Sequence, residues 1–170
     1  MVINLRQLRL LLIVILLLLV FIFIYKYTLP EVEEEHLVQP EPKQLYGEFL
    51  TWEEARQYFN KYSSATIIDL DTGQQYNVQR RGGSSHADVQ PLTAEDTATM
   101  KAIYNGKWSW KRRAVIVELE NGRKIAASMN GMPHGRGAIA GNNFNGYSCI
   151  HFCDSTTHGS RKVDLAHQMM

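Results

Sequence analysis

Apolar positions are unevenly distributed along this chain. From Leu10 to Tyr25 it reads LLLIVILLLLVFIFIY, without a charge or a side-chain amide. At ~1.5 Å per residue that run covers about 24 Å, and Leu8, Thr28 and the snorkelling Arg9 and Lys26 extend it towards a ~30 Å hydrocarbon core. No polar stripe interrupts it, so a buried amphipathic helix is a poor description. No small-residue cleavage site follows, which favours an uncleaved anchor over a signal peptide. The pattern predicts a cytoplasmic N-terminus at 1–9 and a transmembrane anchor at 10–27. A stalk follows at 28–46, then an extracytoplasmic domain at 47–170. Arg6 and Arg9 precede the run while glutamates follow Lys26, and this positive-inside bias sets the orientation. The stalk is assigned from Pro30, Pro40 and Pro42 among glutamates, a composition that stays solvated and extended.

Beyond the stalk the periodicity shortens. Thr51 with Glu54 forms a capping box, and Trp52, Ala55, Phe59 and Tyr62 recur at helical spacing, predicting a helix to about Tyr62. Ala65–Leu70 and Gln75–Gln79 read as strands joined by a turn at Asp71-Thr72-Gly73. Arg80–Ser85 is read as a flexible loop delivering His86-Ala87-Asp88. A second helix opens at Thr93 and stops at Gly106. Ala114–Leu119 and Arg123–Met129 flank Asn121-Gly122, the clearest hairpin signal in the chain. A further strand is expected over Tyr147–Phe152, and the tail from Val163 to Met170 has helical character. The expected fold class is α+β: a mainly antiparallel β domain with two short helices, preceded by one N-terminal transmembrane helix.

Composition narrows the function only slightly. The chain has 170 residues and a net charge of +1, room for one domain with appendages and no bulk charge favouring a polyanion. Nucleic acid is therefore not an expected partner. The membrane and an envelope component such as peptidoglycan are.

The candidate chemistry is concentrated between Met132 and His167, which holds four of the six histidines and both cysteines. Cys149 and Cys153 on a continuing strand would stand about 13 Å apart, beyond disulfide reach, so a bridge requires a turn. On a strand Cys149 and His151 share one face while Ile150 and Phe152 point to the core. A thiol needs a base to become a nucleophile, and His134 and His151 are available. The glycine-rich loop after His134-Gly135 is expected to fold back over Cys149. A small buried thiol packed for its own sake is the plainer alternative.

These residues resemble the L,D-transpeptidases, in which a histidine-glycine on one strand is followed some fifteen residues later by a small-residue turn ending in the catalytic cysteine. Here His134-Gly135 and Gly146-Tyr147-Ser148-Cys149-Ile150 have that order and spacing, within a similarity covering about residues 65 to 167. Ser148 replaces a glycine, Gly146 replaces a serine or threonine, His151 stands at an arginine position, and a helix is inserted at 93–104. The resemblance implies an anchored envelope enzyme that acts on peptidoglycan stem peptides by cysteine acyl transfer, without a cofactor. Cys149 would be the nucleophile, His134 the base and His151 a tuning residue, with an oxyanion hole of backbone N–H groups around Tyr147 to Cys149.

Two other readings are weighed beside it. His86, Asp88 and His151 are a possible zinc set for a cell-wall hydrolase, with His158, Asp164 and His167 available to complete it. Individually, His158 and His167 read as surface or hydrogen-bonding histidines. Lys107 to Arg113 interleaves Trp108 and Trp110 with Arg112 and Arg113, which suits a non-catalytic wall-binding or partner-binding module. The plainer reading of that segment is core tryptophans beside a solvated basic edge.

Overall fold

A computed structural model describes residues 4–28 and 47–170. The chain divides into two compact units, Met1–Pro42 and Lys43–Met170. In the first, α1 (Leu5–Thr28) is one continuous helix. Its span Leu5–Tyr27 has a mean hydropathy of 3.1 and is long and apolar enough to cross a membrane. Of the stretch 28–46 assigned as a stalk, Thr28 closes α1 and 29–46 lie outside the described residues.

The second unit is a closed antiparallel barrel of six strands in the order β1-β2-β3-β6-β5-β4. They are β1 (Ser64–Asp69), β2 (Gln75–Gly82), β3 (Ala87–Pro91), β4 (Arg113–Leu119), β5 (Lys124–Met129) and β6 (Ser148–His151). Three short helices accompany them: α2 (Trp52–Tyr58), α3 (Ala94–Ile103) and α4 (Leu165–Gln168). The α+β class and antiparallel pairing agree with the sequence reading. Barrel closure goes beyond it, and the domain has three helices instead of two.

Alternation along the strands divides the barrel into an inside and an outside. Ala65 and Ile67, Tyr76 and Val78, Ala87 and Val89, Val115 and Val117, Ile125 and Met129, and Ile150 all enter one buried apolar cluster. Their neighbours Asp88, Ser128, Cys149 and His151 therefore face outward. Asp88 is the Cα partner of Cys149, and Ser128 is the partner of His151. Closing the barrel thus sets chemistry-bearing side chains from β3, β6 and β5 side by side on its outer surface.

Three expectations are corrected at this level. The predicted loop over Arg80–Ser85 is shorter than expected: β2 continues to Gly82, and β3 starts at Ala87, just after the loop and His86. The connection turns at Gly83 (φ +93°), where a Cβ would sit 1.9 Å from the His86 carbonyl oxygen. Helix α2 ends at Tyr58, short of Tyr62, and the carbonyls just past its end, which a longer helix would use, are taken by other donors. The Arg80 guanidinium donates to the Phe59 carbonyl, and Ser63 Oγ donates to the Asn60 carbonyl at 2.7 Å. The loop after Gly135 does not cover Cys149. Buried Gln90 holds it further along β3, accepting from Ala138 N–H and Ile139 N–H at 2.9 and 3.1 Å, while Phe144 enters the core.

Helix starts follow the predicted chemistry. Both α2 and α3 have complete capping boxes, Thr51 with Glu54 and Thr93 with Asp96. Asp96 also accepts from Asn77 N–H at 2.7 Å, which fastens α3 to β2.

Candidate active site

The site is built where β6 runs beside β3 and where the chain leaves β5. After β5, His134 forms an isolated antiparallel bridge with Tyr147. His134 N–H donates to the Tyr147 carbonyl at 3.0 Å, and Tyr147 N–H donates to the His134 carbonyl at 2.8 Å. Two glycines permit this close approach. At Gly135 (φ +66°) a Cβ would meet the Tyr147 ring at 2.1 Å, and at Gly146 (φ +128°) it would meet the His134 carbonyl oxygen at 2.4 Å. The bridge anchors the imidazole two residues before the cysteine strand begins its outward alternation.

The result is a contact of 3.2 Å between Cys149 Sγ and His134 Nε2. His134 Nδ1 lies 2.8 Å from the Met132 carbonyl oxygen. A carbonyl only accepts, so Nδ1 carries the proton and Nε2 presents its lone pair to the thiol. The Tyr147 ring stands edge-on to this imidazole at 4.6 Å and Trp110 tilts against it at 5.1 Å, which fixes its plane.

A second histidine reaches the sulfur from the opposite strand. His86 is buried, and its Nδ1 lies 2.7 Å from the Thr156 carbonyl oxygen. Its Nε2 is 3.4 Å from Asp88 Oδ1 and has no hydrogen-bond partner of normal geometry. Asp88 Oδ1 also meets His158 Nε2 at 3.3 Å. Burial opposes ionisation of Cys149, but His134 and His86 outweigh it, and the thiol pKa falls below its ordinary value. The Cys149 sulfur raises the His134 pKa, against the effect of burial. Burial also disfavours the His86 cation, yet Asp88 and Cys149 carry its pKa well above the usual histidine range.

His151 has a different place from the one expected. Its ring lies in a column of imidazoles, stacked at 3.8 Å on His167 and at 4.3 Å on His86, with His158 edge-on to His86 at 4.3 Å. Burial, then repulsion from His167 and His86, lowers its pKa to about 2, so it remains neutral. Its Nδ1 is buried without a hydrogen-bond partner. His167 is also held neutral, at about 4, first by burial and then by Arg112, and its Nδ1 is 2.7 Å from Ser128 Oγ. His158 and His167 are hydrogen-bonding histidines, as the sequence suggests: the first, partly exposed, pairs with Asp88, and the second bonds Ser128 and stacks on His151.

The cavity at this point measures about 160 Å³ and is lined by His134, Cys149, His151 and His86 together with Trp110 and Arg112. Its far wall is the C-terminal segment, through Thr157, His158, Asp164 and His167. That segment is tied down by Arg112 to Asp164 at 2.5 Å and by Gln168 Nε2 to the Phe152 carbonyl at 3.1 Å.

The basic aromatic segment is divided among three places. Trp108 is half-buried, edge-on to Phe144 at 5.3 Å. Trp110 and Arg112 border the cavity, whereas Arg113 turns to Asp69, with Nε 2.6 Å from Oδ2. The oxyanion hole assigned to the backbone at Tyr147 is corrected, since that N–H already donates to His134. Cys149 and Cys153 are both free thiols. Among the described residues, metal-type donors converge in two groups, His86–Cys149–His151 and His86–Asp88–His158. Asp88 and His151, paired in the sequence reading, thus fall into different groups that share His86.

Sequence reasoning missed His86 as a neighbour of the sulfur. The available signal was outward alternation of His86 and Asp88 about Ala87, but it becomes informative only once 87–91 is recognised as a strand paired with β6. Comparison with known proteins adds no identity: no family model, curated protein or solved structure matches the chain.

Proposed function

We propose that this chain is a membrane-anchored, extracytoplasmic cysteine acyltransferase acting on peptidoglycan stem peptides, with Cys149 as nucleophile and His134 as general base. The observation that carries the reading is the 3.2 Å contact of Sγ with a His134 Nε2 whose other nitrogen is committed to the Met132 carbonyl. Nucleophile, base and orienting acceptor stand in line, as covalent acyl transfer requires.

His134 Nε2 takes the thiol proton as Sγ attacks the scissile amide carbonyl carbon, forming the S–C bond. Collapse of the tetrahedral intermediate breaks the C–N bond, and the leaving amine takes the proton from His134. The thioester is then attacked by an acceptor amine or by water. That nucleophile's proton passes to His134, and the thiolate leaves. The neighbouring His86, held as a cation by Asp88, stabilises the thiolate form, since opposite charge close to a thiol lowers its pKa. Arg112, bonded to Asp164 at the cavity edge, can meet a substrate carboxylate only by exchanging that partner. Trp110, half exposed beside His134, offers an apolar face to the peptide or to a sugar ring.

The apolar helix α1 supports attachment to a membrane, and Arg6 and Arg9 in its first turns support an extracytoplasmic domain. The test uses the full chain in detergent micelles, incubated with purified stem-peptide fragments and followed by intact-mass spectrometry. A thioester adduct on wild type, absent in Cys149→Ala, is expected. Equal release of the leaving amine by wild type and Cys149→Ala would refute the reading.

A further inference from the structure

The column of imidazoles holds two nitrogens whose hydrogen bonding is unsatisfied, one of which the acyl-transfer scheme uses only through its charge. His86 Nε2 and His151 Nδ1 are buried and have no hydrogen-bond partner, and their residues are only 2% and 4% exposed. A buried polar atom without a partner is costly, so two in one stack call for an occupant. Each histidine offers a donor atom to a group with Cys149 in which all three donors lie within 4.8 Å of one another.

We infer that His86, Cys149 and His151 form a binding site for a divalent transition-metal ion of the zinc class. The donor set is a thiolate and two imidazoles, which suits zinc and excludes hard ions such as magnesium or calcium. Three protein ligands leave one tetrahedral position open, and the cavity of about 160 Å³ lies on that side. With metal–sulfur and metal–nitrogen bonds of about 2.3 and 2.0 Å, tetrahedral donors stand about 3.5 Å apart. Donors within 4.8 Å of one another need only a small contraction to reach that spacing.

The outer shell is already arranged for this role. His86 Nδ1 is held by the Thr156 carbonyl, which fixes the tautomer and aims Nε2 at the site. His151 is steadied by His167 stacked at 3.8 Å, and His167 is held in turn by Ser128. Both Cys149 and His151 project from one face of a strand locked into the barrel between β3 and β5. The competing group, His86–Asp88–His158, relies on an exposed His158 and on a carboxylate already occupied by it. Because His86 has a single free nitrogen, the two groups exclude each other.

Both donors must present lone pairs, so binding displaces protons from the thiol and the His86 imidazole and strengthens as pH rises. The site stands independently of the acyl-transfer reading but shares its sulfur, so an ion here withdraws Cys149 from nucleophilic chemistry. His134 is not a ligand, and that separates the two ideas experimentally.

The probe is Co²⁺, titrated into the reduced full chain in detergent micelles, with Cys153→Ser as background so that a single thiol remains. A near-ultraviolet sulfur-to-cobalt band with intense visible bands, saturating at one ion per chain and reversed by Zn²⁺, is expected. Cys149→Ser should abolish the near-ultraviolet band. His86→Gln and His151→Gln should each weaken binding at least ~10-fold, while His134→Ala should retain it. Circular dichroism checks that each variant is folded, and if His151→Gln is not, His86→Gln decides. Absence of the sulfur band, its persistence at full affinity in the folded histidine variants, or its loss in His134→Ala would overturn the inference. Failure of acyl transfer alone would leave the cobalt spectrum unchanged.

Discussion

The Cys149 sulfur lies 3.2 Å from His134 Nε2 although fifteen residues separate them in the chain. That contact depends on backbone geometry at the His134–Tyr147 bridge, where Gly135 and Gly146 admit an approach that side chains would block. The histidine-glycine pair and the small residue before the cysteine strand are therefore parts of one device. They place an imidazole over a thiol.

Substitution at Gly135 should uncouple this device. Gly135→Ala places a Cβ 2.1 Å from the Tyr147 ring at a φ of +66°. The left-handed backbone alone costs about 1–2 kcal/mol, and the ring must also move. Chemical denaturation should show a loss of at least that size. In the folded fraction, Cys149 should alkylate more slowly, because displacing Tyr147 displaces the base.

The two thiols should differ in reactivity against their exposure. Cys149 is buried and Cys153 is half-buried. Burial disfavours ionisation of both, but His134 and His86 overcome this at Cys149, whereas Asp154 adds to it at Cys153. With iodoacetamide at neutral pH, peptide mapping should find Cys149 labelled first, its small reagent entering through the cavity. His134→Ala should reverse or abolish that preference without unfolding the domain. Faster labelling of Cys153 in wild type would contradict the activated thiol.

Acid stability should be governed partly by Asp69. This fully buried carboxylate receives Arg113 Nε and a second guanidinium nitrogen, each at 2.6 Å, and Thr72 N–H at 2.9 Å. Burial raises its pKa, but Arg113 and Thr72 outweigh that and the net direction is downward. A depressed folded pKa contributes stability above the unfolded value near ~3.9, and that contribution is lost as pH falls through the folded value. Melting temperature should therefore decline below about pH 4. Asp69→Ala, which leaves a largely buried Arg113 with only the exposed Asp71 as partner, should cost about 3 kcal/mol at pH 7 and flatten that acid limb.

Much of the fold is local enough to read from sequence. The capping boxes at Thr51 and Thr93, the Asn121-Gly122 turn and the apolar alternation of β1, β4 and β5 each declare themselves within a few residues. Strand β3 does not, because Ala-Asp-Val-Gln-Pro is short, weak in β-formers and ends in proline. Its identity depends on pairing with β6 across some sixty residues of chain, and barrel closure depends on the same pairing. The site divides along the same line. Cys149 and His134 were legible because glycines mark their approach. The roles of His86, His151 and His167 were not, because a stack of rings from the turn before β3, from β6 and from α4 exists only after closure.

The central claim is that Cys149 is an acylatable nucleophile served by His134. The most direct measurement is intact-mass and peptide mass spectrometry of the full chain after exposure to a β-lactam of the carbapenem type, whose ring carbonyl opens onto a thiolate. The account predicts one covalent adduct mapped to Cys149, absent in Cys149→Ala and formed about 10²- to 10⁴-fold more slowly in His134→Ala. No adduct on Cys149, or one formed at the same rate without the His134 imidazole, would contradict it.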